Sequence, residues 1–530
     1  MTNRDTHAAR SYHDATKLGY INLSNKPPLY KAYPGSYSTP LPTDFPTADV
    51  STLKAVASSQ AGPETPLELS TLARILYLSA GVVRKARLQV AGEVHYRAAA
   101  SAGALYPIEI YAVSGGIPGL QAGVYHFSPA DFSLTRLRDG DHRNSLASAV
   151  DGDSLVLDSP VSLVLTANFW RSAWKYRARS YRYCLWDAGT ILSNLLAAAS
   201  TSGLPAPILA GFLDETVNEI LGLDSHYEST LCVVPLGRLG LGSVAAATDS
   251  RISGPIQIRE ADQPQNIVDY PEIQGLHEAS NLESLSEVTA WRQAAHGITS
   301  TSGESSPMGQ IHTVNSSPLP DLPLDDVIAE RGSTRRFDRG AIPFDKFSAV
   351  LTAASTPVDA DFLGSDQHSL LDPYLIVNGV EHLPSGSYFW STREARLEEL
   401  QQGELRHEAG HLCFEQALGA DASAVIYFMA DLGKILDRHG NRGYRAAQME
   451  AGILGGRIYL CAHALGLGAS GMTFYDDDVS EFFSPHAAGK SLMFLVALGK
   501  THTKNRVRPF RSRIGVLLDS LARGAGGQTN

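Results

Sequence analysis

Arg331-Gly332-Ser333-Thr334-Arg335-Arg336-Phe337 places three guanidiniums and two hydroxyls within seven residues. Arginine forks and hydroxyl donors at this spacing suit a phosphate and the polyol attached to it. A solvated basic turn is the plainer account of the same residues. The second cluster runs Tyr96-Arg97-Ala98-Ala99-Ala100-Ser101-Ala102-Gly103-Ala104-Leu105-Tyr106-Pro107. Its small side chains let the backbone approach a flat ligand closely and leave amide N–H groups free to donate. Here the plainer account is a tight loop ahead of a strand at Ile108.

Two further motifs carry less. His407-Glu408-Ala409-Gly410-His411 matches H-E-x-x-H, in which a helix aims two imidazoles at zinc. The internal glycine weakens such a helix, and no third ligand follows at a usual spacing. Gly466-Leu467-Gly468-Ala469-Ser470-Gly471 matches the dinucleotide fingerprint, which must follow a strand and open a helix. Here it follows a helix and leads into a strand-like run, so a helix C-cap explains it better.

The elements that would position these clusters come in two copies. Ala188-Gly189 after Tyr181-Arg182 recurs as Ala451-Gly452 after Tyr444-Arg445, an offset of 452 − 189 = 263. Tyr125 recurs as Tyr388 at the same offset, and Gly237 as Gly499 at 262. Three matches at nearly one offset argue for two copies of one unit. Each copy reads as a helix, short β-rich runs (Ile108 to Val113; Tyr374 to Val377), a long apolar helix (Leu185 to Ser200; Met449 to Leu465) and a closing strand (Leu231 to Leu236; Leu492 to Leu498). That mixture predicts an α+β fold, with helices packed on mostly antiparallel sheets. The long helices are apolar nearly all round, which predicts burial between the copies as an internal pseudo-dimer. The predicted division is 1–242, a linker over 243–320 with one short helix near Glu278 to Gln293, a second unit over 321–502, and a basic tail over 503–530.

Composition sets the outer bounds. The 530 residues are 43% hydrophobic and 19% charged, with a formal charge of −11. So acidic a body makes nucleic acid an unsuitable main partner. No run reaches the ~18 apolar residues of a membrane span, and the polar N-terminus does not read as a signal peptide. Four scattered cysteines suit a reducing cytoplasm.

Taken together, these residues resemble the nitroreductase-fold flavoprotein superfamily, and within it the SagB/ThcOx branch of azoline dehydrogenases that act on ribosomally made peptides. The resemblance rests on Tyr12-His13-Asp14-Ala15-Thr16-Lys17, Pro27-Pro28-Leu29-Tyr30-Lys31, Ser101 to Pro107, Lys175-Tyr176, Tyr181-Arg182-Tyr183 and Asp187-Ala188-Gly189. The second half resembles the wider superfamily through Arg331 to Phe337. The resemblance implies two nitroreductase-like domains and an FMN site built from both. Arg331, Ser333 and Arg335 would hold the phosphate and ribityl end, assisted by Arg97 and by Arg506 or a neighbour. Ser101, Ala102 and Gly103 would line the ring system. Ser470-Gly471 would offer the flavin an amide N–H, a role that Ala210-Gly211-Phe212 of the first copy suits as well.

The repeat predicts how many such sites survive. Aligning Pro66-Leu67 with Pro343-Phe344 sets Lys54 to Gln60 opposite the arginine cluster, so the first copy lacks it. The 263 offset sets Gly364 to Leu370 opposite Ser101 to Pro107, so the second copy lacks the small-residue loop. The losses are complementary and leave one complete site.

On the resemblance, Lys175 and Tyr176 are the catalytic candidates. Oxidation of a thiazoline or oxazoline removes a hydride to the flavin and a proton to a base. Partial desolvation would lower the pKa of Lys175, and the lysine would equally lower that of the Tyr176 phenol. The implied partners are an azoline-containing peptide and a cyclodehydratase. Two other readings stay open: an NAD(P)H-dependent nitroreductase or ene-type reductase, and a non-catalytic flavin- or peptide-binding protein.

Overall fold

Two long helices, Ser180–Thr201 and Leu432–Ala464, cross at the centre of the molecule with almost every side chain buried. The computed structural model describes residues 3–4, 6–17, 27–58, 66–88, 92–238, 256, 267–295, 309–314, 319–364 and 369–502. At the crossing, glycine is obligatory. A Cβ on Gly189 would lie 2.3 Å from the Met449 carbonyl oxygen, and one on Gly452 would lie 2.4 Å from that of Trp186. Close approach of two backbones admits no side chain there.

Both helices begin earlier than their apolar runs predict. The added turns carry arginines, buried because each finds a carboxylate in the other half. Arg179 and Arg182 reach Asp476 at 2.9 Å and 2.5 Å, and Arg442 and Arg445 reach Asp214 at 2.6 Å and 3.1 Å. The two clusters are the same cluster at the repeat offset. Such self-complementary exchange is the mark of a two-fold interface, here within one chain. The second helix is also interrupted at Gly440, whose φ of 61° is left-handed.

A sheet flanks each helix. The first has six strands in the order Ser38–Pro40, Ser133–Asp139, Gly123–Ser128, Ile108–Ser114, Val161–Asn168 and Glu228–Leu236, each antiparallel to its neighbour. In the second, Gly386–Ser391, Asp372–Val377, Ala424–Ala430 and Ser491–Thr501 repeat the last four in the same order. Tyr125 stands opposite Ala112, and Tyr388 opposite Leu375, so the register repeats as well. The fold is α+β with antiparallel sheets flanked by helices. A separate ribbon of two strands, Val82–Leu88 and Gly92–Arg97, stands beside the first sheet.

The linker departs from expectation. In place of one helix near residues 278–293 there are two, Pro271–Ala279 and Leu285–Ala295. The second starts with a capping box. Glu287 accepts from the amides of Glu283 and Ser284, and the Ser284 hydroxyl accepts from the Glu287 amide. Trp291, buried, donates to the His439 carbonyl at 3.0 Å and so docks this helix on the second copy. Among the described residues no helix is long and apolar enough to cross a membrane.

Candidate active site

Residues from both copies line a cleft of about 220 Å3. Arg331, Ser333 and Arg335 come from the second copy; Arg84, Arg97 and Ser101 come from the first. The cluster at 331–335 follows a short helix, Leu324–Glu330, on extended backbone. Arg331 donates to the Ala98 carbonyl across the copy boundary, and its guanidinium lies 5.4 Å from the centre of the Tyr459 ring. Ser333 is 3.2 Å from the Tyr459 hydroxyl. The Thr334 amide donates to the Ala469 carbonyl, which fixes the segment against the second sheet.

None of Arg84, Arg97, Arg331 and Arg335 forms an ion pair among the described residues. The Nε atoms of Arg84 and Arg97 are buried without a hydrogen-bond partner. Burial lowers the pKa of both Arg97 and Arg331. Glu330 also lines the cleft but pairs with none of these guanidiniums, which repel one another, and a phosphate would relieve that repulsion. The donor set therefore fits a phosphorylated cofactor such as FMN.

The small-residue loop is bent as close approach demands. Gly103 (φ 64°), Ala104 (φ 55°) and Tyr106 (φ 51°) are all left-handed, and the two with side chains carry strain of about 1–3 kcal/mol each. Asp187 on the first central helix holds the bend. It accepts from the Ser101 hydroxyl at 2.5 Å and from the Ala102 amide at 3.1 Å, while Ser101 accepts from the Tyr106 amide. Burial pushes the Asp187 carboxyl up to about 7 against the pull of those two donors. Its counterpart in the other copy, Glu450, is also buried at about 7 and accepts from the Leu370 amide.

Lys175 and Tyr176 end the helix Trp170–Tyr176 directly over this loop. A Cβ on Gly103 would lie 2.7 Å from the Lys175 Nζ and 2.7 Å from the Tyr176 hydroxyl. One turn back, Arg171 donates to the Tyr106 carbonyl at 3.1 Å and pairs with the buried Glu109, which fastens the helix to the loop. Burial lowers the Lys175 pKa. It raises that of Tyr176, and Tyr183 and Asp187 raise it further. The expected lowering of the phenol pKa by Lys175 is therefore not found. Burial outweighs the neighbouring amine.

Ser470 and Gly471 lie elsewhere than expected. They form part of the strand Gly468–Gly471, outside the cleft lining, and the Gly471 amide donates to the Tyr459 hydroxyl at 2.5 Å. The Gly471 amide is thus already engaged. The next two amides, of Met472 and Thr473, find no partner among the described residues. Their counterparts at the 262 offset, Ala210 and Gly211, both donate to Asp361 at 2.8 Å and 2.9 Å. Asp361 is in turn held by Arg292 of the linker helix at 3.0 Å. Arg506, residues 59 and 60 of Lys54 to Gln60, and most of Gly364 to Leu370 lie outside the described residues.

Asp187 is the site residue that motif reading passed over. Its place two residues before Gly189, in the repeated block, is the available signal. His411 of the H-E-x-x-H run bonds Glu415 at 2.6 Å and Asp478 at 2.9 Å, so both ring nitrogens are engaged with carboxylates.

Two units of one topology, joined at a cleft that takes residues from each, define an α+β protein of tandem domains. The model of the nitroreductase family matches residues 63–238 and again 328–500, so the chain belongs to that family and carries its domain twice. This makes it an oxidoreductase by family. A protein of Methanocaldococcus jannaschii described as a nitroreductase is 30% identical over 174 residues, 33% of this chain and 82% of that protein. The microcin B17-processing protein McbC of Escherichia coli is 33% identical over 138 residues, 25% of this chain and 51% of its own length. A crystal structure from Anabaena variabilis, described as a nitroreductase, aligns with a TM-score of 0.73 at 27% identity. The alignment covers 93% of this chain and 99% of that one, so the tandem arrangement recurs there.

Proposed function

We propose that the protein is an FMN-dependent dehydrogenase that oxidises thiazoline or oxazoline rings of a ribosomally made peptide to azoles. The observation that carries this reading is the amine–phenol pair of Lys175 and Tyr176 set over Gly103, on the loop beside the cation-rich cleft. Similarity to a microcin B17-processing protein supports a peptide as substrate.

Arg331, Ser333, Arg335 and Arg97 would bind the phosphate end of FMN, with Arg506 in support, and Ser101, Ala102 and Gly103 would flank its ring system. The Met472 and Thr473 amides stand ready for its polar edge. When bound, FMN supplies a hydride acceptor. Lys175, held toward the neutral amine by burial and with no ion pair among the described residues, takes the proton from the neighbouring ring carbon. Tyr176 keeps its proton at neutral pH and donates a hydrogen bond that orients the substrate ring. The ring thus loses one hydride and one proton and gains a double bond. Rings of this kind arise by loss of water from Cys, Ser or Thr, so a cyclodehydratase is the expected upstream partner. The four buried free thiols fit a reducing, cytoplasmic setting.

The test is anaerobic mixing of the flavin-loaded protein with a synthetic thiazoline peptide. Bleaching of the flavin together with loss of two hydrogens from the peptide is expected. Bleaching by NADH but not by the peptide would overturn the assignment in favour of a small-molecule reductase.

A further inference from the structure

The ribbon of Val82–Leu88 and Gly92–Arg97 is the one sheet in the described structure with only two strands. Two strands alone are marginal in water; a third strand or a packed face is needed to hold them. This ribbon packs at its base, where Val82, Val83 and Arg97 are buried, while Arg87 and Glu93 at its far end are exposed. Its base is also the rim of the cleft, through Val83 and Arg84.

Hydrogen bonds at the base fix which backbone groups face outward. The Ala98 amide donates to the Gly81 carbonyl, toward the other strand, whereas the Arg97 amide turns away to the Tyr106 hydroxyl. Alternation then turns Tyr96 and Val94 toward their partners Arg84 and Ala86. Lys85 and Arg87 are left with N–H and C=O pointing out from the far edge, which pairs with no strand among the described residues. Leu29 and Tyr30 lie against one face of the ribbon, where they bond the side chains of Arg97 and His95.

Resting on the dehydrogenase reading, we infer that the peptide substrate adds as a third strand to the free edge of Val82–Leu88, through the backbone of Lys85 and Arg87, with its ring in the cleft. The chemistry of the ring supports the placement. Azoline formation removes the carbonyl of one residue and the N–H of the next, so the ring cannot join a strand ladder. It must lie past the ladder's end, and the ladder here ends at the cleft, where the register is already shifted between Val82 and Arg84. Main-chain bonds accept any sequence, and the edge adds charge selection. Lys85 is paired with Glu93 at 3.0 Å, and Arg84 and Arg87 favour neutral or acidic residues beside the ring.

The experiment measures binding of a fluorescein-labelled synthetic peptide with one internal thiazoline to the flavin-loaded chain, by fluorescence anisotropy. Lys85→Pro and Arg87→Pro remove the outward N–H; Lys85→Ala and Arg87→Ala keep it. Each proline variant is expected to bind roughly threefold to tenfold more weakly than its alanine counterpart, the worth of one hydrogen bond. Independently of any variant's folding, N-methylation of successive peptide residues should weaken binding to the unaltered protein at every second position. A flat methylation scan, equal proline and alanine variants, or a peptide that does not bind at all would each overturn strand addition. A period-two pattern without oxidation would uphold it while sinking the dehydrogenase reading.

Discussion

Gly189 and Gly452 face each other across the crossing of the two central helices, the Cβ of either excluded by the backbone of the other's helix. They are also the same residue of the repeat. A position that meets its own counterpart lies on the two-fold axis of a dimer, and here that axis runs through a single chain. The cleft takes its lining from both sides of this axis, so its shape depends on how tightly the two glycines close.

Gly189→Ala and Gly452→Ala should therefore be similar in effect. Each forces backbone apart, at a cost of about 1–3 kcal/mol, and each should loosen the cleft. Thermal unfolding of both variants, with flavin content measured alongside, checks this. A loss of stability confined to one of them would contradict the symmetry of the crossing.

Arg331→Ala should weaken FMN binding by about 1.5–3 kcal/mol, because a charge-assisted contact is lost. Lys54, set opposite it by the sequence alignment, is exposed within the helix Thr52–Ala57, whereas Arg331 follows the helix Leu324–Glu330. Lys54→Ala should leave FMN affinity as it is. Titration of the two apo-proteins with FMN separates a one-sided cleft from two equal ones.

Asp187 should leave a pH signature in stability. Its folded pKa of about 7 is above the unfolded value, so the folded state holds the proton more tightly. That contribution is complete below about pH 4 and is lost as pH rises through 7. Urea unfolding at a series of pH values should show a decline between those limits that Asp187→Asn reduces, leaving the share that Glu450 contributes. An unchanged slope in the variant would mean that the carboxyl is ionised at neutral pH.

Lys175→Ala should abolish azole formation while the flavin stays bound. Tyr176→Phe should slow the reaction less, since only an orienting hydrogen bond is lost. With the base acting as a neutral amine of lowered pKa, single-turnover flavin reduction in the unaltered protein should rise with pH and level off below the ordinary lysine range. A rate independent of pH across that interval would remove Lys175 from the role.

Much of this was legible in the sequence because it depends on local composition. The repeat and the α+β run of elements follow from spacing and pattern, while the meeting of Arg331, Ser333 and Arg335 with Ser101 is what the family resemblance implies. What stayed hidden depends on partners distant in the chain. Arg179 and Arg442 look like solvent-facing ends of helices until Asp476 and Asp214 are brought against them. Asp187 reads as a polar blemish in an apolar helix until the loop it holds is seen. The Gly471 amide looks free in a glycine-rich run, yet the Tyr459 hydroxyl, twelve residues back, accepts its hydrogen bond. The linker break is legible locally, in the capping pair Ser284 and Glu287.

A cleft shared between two separate subunits opens whenever they part, so its occupancy falls on dilution. Here the halves are tethered through the linker helix and its Trp291 anchor, and each meets the other at an effective concentration set by the tether. The affinity for the cofactor should then be independent of protein concentration. The tether also frees each half to mutate without imposing the same change on its twin, which a homodimer can never do.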